Sequence, residues 1–176
     1  EDENLNKISV NWNEDETVFQ KWCDGNTGVP IIDAAMRYFN DTGTMHNRLR
    51  MIVSSYLTKN LLVNWKKGEQ YFASKLLDYE ASSNVGSWQW AASTGADSVP
   101  YFRIFNPYLQ SAKFDKDAVF IKSVITELKD VNTKLIHSEN GVQSNIFLNY
   151  PSQIVSIDFS RKRAIEEFKR ANNEKA

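Results

Sequence analysis

Apolar residues recur at three- and four-residue steps through much of this chain, and that spacing constrains the fold more than any other feature. Ile32, Ala35, Met36 and Phe39, for example, fall on one side of a helix with 3.6 residues per turn. No segment alternates apolar and polar residues as a half-buried strand does. Seven glycines and four prolines in 176 residues are too few for the frequent turns of a sandwich or barrel. The sequence therefore predicts an all-α fold.

Helix start and stop signals set approximate boundaries. Pro30 suits the first turn of a helix over residues 31–40, and Gly43 suits its end. Asp115 and Ser160 are predicted to cap two later helices. The other predicted helices cover residues 46–64, 69–77, 80–93, 116–128 and 160–172, with 95–107 and 129–158 mostly irregular.

Composition excludes several classes of protein. The hydrophobic fraction of 41% supports a real core. Cys23 is the only cysteine, which rules out an intramolecular disulfide and a zinc site with two thiolates, and no other metal site is predicted. No phosphate-binding glycine motif occurs, and no apolar run reaches the roughly 18 residues of a membrane span. We expect an intracellular, cytoplasmic protein, and an opening Glu1 in place of Met suggests a fragment.

Charge is unevenly distributed although the net charge is only −1. Residues 1–24 carry seven acidic and two basic side chains, whereas residues 36–70 carry six basic and two acidic ones. The basic stretch is either an ordinary solvated surface or a face that binds a polyanion. Composition leaves both interpretations open.

Tryptophan is unusually frequent, with five residues at positions 12, 22, 65, 88 and 90. Trp22 is predicted to pack in the core, which is the usual place for so large a side chain. Trp88 and Trp90 lie two apart on a predicted helix and so point in different directions. Polar side chains crowd the same segment, namely Asn84, Ser87, Gln89 and Ser93. This mixture suggests a pocket for a polar aromatic ligand.

A second cluster occupies residues 45–51. At helical spacing Asn47 and Arg50 share one face, and Arg48 and Met51 share another. An amide and a guanidinium on one face can bind a heterocycle or phosphate, and the Arg48 face can meet an exposed nucleic-acid base. The alternative is helix capping and surface charge.

Five motifs in this order resemble the FAD-binding region of the DNA photolyase/cryptochrome family, and in detail a class I cyclobutane pyrimidine dimer photolyase. They are Thr27-Gly28-Val29-Pro30, Asp33-Ala34-Ala35-Met36-Arg37, Met45-His46-Asn47-Arg48-Leu49-Arg50-Met51-Ile52, Trp88-Gln89-Trp90-Ala91-Ala92-Ser93-Thr94-Gly95 and Pro100-Tyr101-Phe102-Arg103-Ile104-Phe105-Asn106-Pro107. The resemblance runs from about Trp12 to Asp115 and continues more weakly to the last helix.

The resemblance implies an all-helical domain that binds FAD, whose light-excited reduced form splits a flipped-out pyrimidine dimer in damaged DNA by electron transfer. Residues 1–176 would be a partial FAD domain, inactive alone, without the N-terminal α/β antenna domain, its chromophore and the first part of the FAD domain. The intact protein would be a monomer that does not bind membranes. The alternatives are a cryptochrome-type blue-light photoreceptor and a flavin-free helical DNA-binding or scaffold protein.

The resemblance also assigns roles to single residues. The residues that it implies for flavin contact are Asn47, Arg50, Asp78, Tyr79, Glu80 and Asn84, with Asp78 as the partner of Arg50 and Asn84 at flavin N5. Trp88, Trp65 and Trp12 would form an electron relay, and we expect Trp12 to be its most exposed member and Trp88 its most buried. The residues implied for the DNA side are Arg48, Met51 and Trp90 at the lesion, and Arg103 and Gln110 at the DNA backbone.

Overall fold

The computed structural model describes residues 10–77, Trp88 and residues 104–175. All regular structure in these residues is helical, which confirms the all-α prediction. The helices are α1 (Glu16–Asp24), α2 (Pro30–Thr42), α3 (Asn47–Ser55), α4 (Trp65–Lys75), α5 (Pro107–Phe114), α6 (Val119–Val124), α7 (Thr133–Ile136) and α8 (Ile157–Lys175). A π-helical turn follows α3 at Tyr56–Asn60, and 3-10 turns cover Thr126–Leu128 and Val142–Ser144.

The chain divides into two compact units. Unit 1 comprises Glu1–Asp15, Ser54–Ile104 and Val155–Ala176. Unit 2 comprises Glu16–Val53 and Phe105–Ile154.

Unit 2 is built around α2, which packs against α1, α5 and α6. The helix begins at Pro30, as predicted, and ends where Gly43 adopts φ 69° and donates its N–H to the Phe39 carbonyl. Most of its residues are buried on all sides, which is typical of a central helix. Trp22 of α1 is fully buried, as predicted, and its indole N–H donates to the Val53 carbonyl at 3.1 Å.

A buried carboxylate fastens two loops of unit 2 to α2. Asp33 Oδ1 accepts the N–H and the hydroxyl of Thr27, both at 2.7 Å. Its Oδ2 accepts the N–H of Gly28 at 3.1 Å and the hydroxyl of Tyr150 at 2.6 Å. Burial raises the pKa of Asp33 to about 6, although these hydrogen bonds lower it. The loop that carries Thr27 and Gly28 and the segment around Tyr150 therefore share one anchor.

Unit 1 is organised by the π-helical turn, which packs against α4 and α8. Val10, Leu62, Phe168 and Ala171 form its buried apolar cluster, with the half-buried Trp12 at the edge. Lys59 of the turn is 1% exposed, and its ammonium lies 4.0 Å from the centroid of the Phe168 ring. Burial lowers the pKa of Lys59 to about 7.

The structure corrects two predicted helices near the middle of the chain. The helix predicted over 46–64 ends at Asn60, and Leu62 then adopts φ 54°, which breaks the helical path. The helix predicted over 69–77 begins four residues earlier, because the Asn64 side chain caps it by accepting the N–H of Lys66 at 3.0 Å.

Two predicted caps have different outcomes. Asp115 does accept the N–H groups of Phe120 and Ile121, at 3.2 and 2.9 Å, but Ala118 at φ 55° delays the helix to Val119. Ser160 is wrong as a cap, since it lies inside α8, fully buried.

The actual cap of α8 is the hydroxyl of Ser156, which accepts the Phe159 N–H at 3.1 Å. Helices α1, α5 and α7 were not predicted from the sequence. Of the helix predicted over 80–93, only Trp88 belongs to the described residues.

The buried Lys59 predicts how stability depends on pH. Its pKa is about 7 when folded and near 10.4 when unfolded, so between these values the unfolded chain binds more protons. The free energy of unfolding therefore rises with pH across this window. From pH 7 to pH 9.5, we expect the wild type to gain about 3 kcal/mol relative to Lys59→Met.

Urea unfolding at several pH values measures this difference. Lys129→Met, which alters an exposed lysine, is the matched control and should follow the wild-type curve. Parallel curves for the wild type and Lys59→Met would contradict the prediction.

Candidate functional site

The start of α3 is fixed by His46, the residue directly before the helix. His46 Nδ1 accepts the N–H of Arg48 at 3.0 Å, and the His46 carbonyl accepts the N–H of Arg50 at 3.1 Å. The imidazole also lies against the Phe114 ring, with the ring centroids 5.3 Å apart. His46 therefore caps α3. The side chains of Asn47, Arg48 and Arg50 are not needed for capping and can make other contacts.

The Arg48 face (Arg48 and Met51) is directed toward α5. The Arg48 side chain is exposed, and its Nη2 donates to Gln110 Oε1 at 3.0 Å. Met51 is half-buried. The structure thus brings together Arg48 and Gln110, two of the residues predicted to contact DNA, although 62 positions separate them in the chain.

The Arg50 face (Asn47 and Arg50) carries hydrogen-bond donors. Arg50 is half-buried, and its Nε donates to the Met45 carbonyl at 3.0 Å. Within the described residues, the two Nη groups of Arg50 and the exposed amide of Asn47 make no hydrogen bond. A fixed guanidinium with free donors beside an amide suits a polar heterocycle or a phosphate, so these residues fit a flavin nucleotide.

Several predicted site residues lie outside the described part of the chain. They are Asp78, Tyr79, Glu80 and Asn84 among the flavin contacts, and Trp90 and Arg103 among the DNA contacts.

The three predicted relay tryptophans all belong to unit 1. Trp12 is half-buried, Trp65 is 5% exposed and Trp88 is 2% exposed. The predicted order of burial is therefore confirmed, while the relay role itself stays a prediction. Trp65 begins α4, and Phe72 of the same helix lies 5.2 Å from Trp88 between ring centroids.

Sequence reasoning missed Gly68, which makes room for Trp88 on α4. A Cβ at Gly68 would overlap the Trp88 ring, and it would lie 2.8 Å from Leu57 Cδ2. A glycine inside a helix costs roughly 0.5–1 kcal/mol relative to alanine, so its presence demands a reason. A glycine inside a predicted helix is thus the sequence signal that could have revealed this position. The reason for the glycine is the close packing of the Trp88 indole.

Hydrogen bonds hold both ring nitrogens of His137. His137 Nδ1 pairs with Ser111 Oγ at 2.8 Å, while Nε2 pairs with the Lys116 carbonyl at 3.1 Å. Both ring nitrogens are thus engaged in bonds within unit 2, and Cys23 is buried.

Among the described residues, no helix has the length and apolarity of a membrane span.

The sequence matches the family described as the FAD binding domain of DNA photolyase over residues 1–170. The chain therefore belongs to this family.

Three known proteins illustrate the relationship. The chain is 51% identical over 164 residues to the deoxyribodipyrimidine photo-lyase of Buchnera aphidicola, covering 92% of this chain and 34% of the relative. A class III photolyase from Agrobacterium tumefaciens superimposes with TM-score 0.86 at 40% identity, over 94% of this chain and 36% of that one. A Synechocystis cryptochrome gives TM-score 0.82 at 34% identity, over 90% and 34% of the two chains. The chain spans about a third of the length of the curated relatives it matches.

Gly68→Ala should destabilise the protein, in contrast to the usual gain from replacing a helical glycine. The new Cβ forces the Trp88 ring out of its place, because the ring and Leu57 already fill the space. We expect the free energy of unfolding to fall by about 1–3 kcal/mol, as for other overpacked cores.

Urea unfolding measures the loss, and the fluorescence spectrum of the folded protein reports the moved indole. Ala73→Gly, at a half-buried position of the same helix, provides a control in which the loss comes from helix propensity and leaves the emission maximum unchanged. An increase in stability for Gly68→Ala would show that Trp88 does not depend on this glycine.

Proposed function

We propose that this chain is part of a light-dependent deoxyribodipyrimidine photo-lyase, a carbon–carbon lyase of the class I type that repairs cyclobutane pyrimidine dimers in DNA. The observation that carries the proposal is the divergence of Arg48 and Arg50 on α3. One guanidinium is exposed beside Gln110, and the other is half-buried, with two Nη groups that make no hydrogen bond to the described residues. The chain is similar to proteins named deoxyribodipyrimidine photo-lyase. This similarity is the reason for assigning one arginine to DNA and the other to FAD.

The Arg50 face is the proposed contact to FAD. The Met45 carbonyl holds Arg50 Nε, so the two Nη donors are oriented before the cofactor arrives. Asn47 adds an amide one turn earlier. By family resemblance alone, we also assign flavin contacts to Asp78, Tyr79, Glu80 and Asn84. When bound, FAD supplies the light-driven electron donor, while the protein contributes orientation and hydrogen bonds.

The Arg48 face, together with Gln110, is the proposed contact to DNA. Gln110 holds the Arg48 guanidinium through one nitrogen, and among the described residues no hydrogen bond uses its other donors, which can bind a phosphate or a base edge. By resemblance alone, we also assign DNA contacts to Trp90 and Arg103. The substrate is damaged DNA with the dimer flipped out of the helix, which is how photolyases as a class reach their target.

Trp88, Trp65 and Trp12 form the proposed path by which electrons reach the flavin site from solvent. Their graded burial suits that direction, since the first member is dry and the last is accessible. The intact enzyme is proposed to be a monomer with the antenna chromophore bound outside these 176 residues.

A cryptochrome-type photoreceptor is the second candidate, favoured by the similarity to the Synechocystis cryptochrome. A repair assay distinguishes the photolyase from the photoreceptor. In it, the full-length protein and an oligonucleotide with one cyclobutane dimer are exposed to blue light. A photolyase restores the intact dinucleotide under light and leaves it unrepaired in the dark. Binding without light-dependent repair would favour the photoreceptor, and repair of a 6–4 product alone would correct the lesion class.

The two arginines of α3 should have separable effects in the full-length protein. Arg48→Ala should weaken binding to damaged DNA by about 1–3 kcal/mol and leave flavin content unchanged, because only its face meets the nucleic acid. Arg50→Ala should lower flavin content. Its effect on DNA affinity, measured on protein fully loaded with FAD, should be small.

Fluorescence anisotropy at several salt concentrations measures the DNA term, and absorbance at 450 nm measures flavin. Lys129→Ala removes an exposed positive charge elsewhere on unit 2 and should change neither quantity. Equal flavin loss in both arginine variants would contradict the assignment of two faces.

A further inference from the structure

Lys59 is a buried positive charge close to Trp12. Its side chain is 1% exposed, and its ammonium lies 4.0 Å from the centroid of the Phe168 ring. The same ring meets the Trp12 indole edge to face, with the centroids 6.0 Å apart and the planes at 79°. The two distances together set an upper limit of about 10 Å between the ammonium and the centre of the Trp12 ring. All three residues belong to unit 1.

The charged side chains of α8 beside this contact add to the positive charge. Glu167 and Arg170 pair with each other, since Arg170 Nε donates to Glu167 Oε2 at 3.2 Å. The hydrogen bond from Arg170 holds the pKa of Glu167 below its usual range. Arg163, one turn before Glu167, donates from Nη2 to the Asn60 carbonyl at 2.7 Å and so brings a second cation to the π-helical turn. Together with Lys59, these groups carry a net positive charge.

The Trp12 indole is placed to release its proton to water. Trp12 is half-buried, and its indole N–H makes no hydrogen bond in the part of the chain that the structure describes. Trp12 also lines a cleft of about 400 Å³, together with Glu14, Lys66 and Lys67 among others. A cleft of this size brings water to the indole.

We propose that the charge of Lys59 promotes the loss of the indole proton from oxidised Trp12. The proposal rests on the proposed function, because it requires Trp12 to be the outer end of the relay. A radical cation close to a second cation is destabilised, whereas the neutral radical that remains after proton loss is not. At about 10 Å and an effective dielectric constant of about 20, one buried charge favours the neutral radical roughly tenfold. Proton loss then holds the electron in the interior, because Trp12 can take it back only together with a proton.

The step balances in electrons and protons. Trp12 gives one electron to the inner tryptophans, with oxidised FAD of the proposed function as the final acceptor under light, and becomes a radical cation. Its Nε1–H bond then breaks, the proton passes to water, and both electrons of that bond stay on the indole. The product is a neutral radical, and Lys59 keeps its own proton throughout.

Flash photolysis of the full-length protein with oxidised FAD bound tests this inference. At pH 6 Lys59 carries its charge, because its pKa is about 7. The radical cation and the neutral radical of tryptophan differ in their absorption spectra, so the rate of proton loss is measured directly. Lys59→Met, which fills a similar space without a charge, should slow this rate roughly threefold to tenfold. Lys59→Gln should slow it as well, whereas Lys59→Arg, which keeps the charge, should stay close to the wild type.

Lys66→Met is the matched control, since it also removes an ammonium beside Trp12. Lys66 lines the same cleft as Trp12 but is exposed, so water and salt screen its charge. The rate of proton loss should therefore change less than about twofold.

Two outcomes would overturn the inference while the relay stands. One is a wild-type rate of proton loss in both Lys59→Met and Lys59→Gln. The other is equal slowing in Lys59→Arg and Lys59→Met, which would mean that packing around Lys59, and not its charge, sets the rate. Trp12→Phe identifies the radical signal by its loss. If Trp12→Phe leaves the signal unchanged, the relay assignment of the proposed function is wrong.

Discussion

The carboxylate of Asp33 is the interaction on which unit 2 depends. It accepts four hydrogen bonds from Thr27, Gly28 and Tyr150, which come from both chain segments of the unit. A buried charge is tolerated only when its hydrogen-bonding capacity is met, and two oxygens with four donors meet it. The two chain segments also meet through their backbones beside this anchor, since the Thr27 carbonyl accepts the N–H of Ile154 at 3.1 Å.

Gly28 lies in close contact with the backbone of the second segment. It has φ 85°, and a Cβ there would lie 2.5 Å from the Ser152 carbonyl oxygen. No other residue combines that dihedral with that approach at low cost. Because the anchor fixes α2, the Gly43 turn and the His46 cap place α3 in one position, and α5 packs on the same α2. The contact of Arg48 with Gln110 thus rests on a distant buried carboxylate.

The sequence predicted the helical class and the two faces of α3, but not the details that need tertiary contacts. Spacing separated Arg48 from Arg50, because a helix turns 100° per residue whatever surrounds it. The π-helical turn left no trace in the apolar pattern, so the helix predicted over 46–64 was too long. Ser160 and Ser156 are equally good caps by residue type, and only packing decides that Ser160 is buried and accepts from Asn60 Nδ2.

Other failures have the same origin. Helices α5 and α7 are eight and four residues long, too short for periodicity to distinguish them from loops. Lys59 lies on the apolar stripe of Ile52 and Tyr56, a position that signals burial, yet its charge makes that interpretation unattractive from the sequence alone. The partner of Arg48 lies 62 residues away, where helical spacing carries no information. The family resemblance singled out Gln110 only as a contact to the DNA backbone.

Placing both proposed contacts on one short helix has a mechanical consequence. Within α3, Arg48 and Arg50 are separated by about 3 Å along the axis, and the hydrogen-bonded backbone keeps that separation constant. A cofactor bound at one face and a nucleic acid bound at the other are then held at a fixed distance by a single rigid helix. No flexible loop lies between the two contacts to make that distance vary. Truncating one side chain leaves the register intact and removes one contact. Moving the helix, for instance by weakening the Asp33 anchor or the His46 cap, shifts both contacts together. Both contacts are lost at once in that case, because they depend on the same helix.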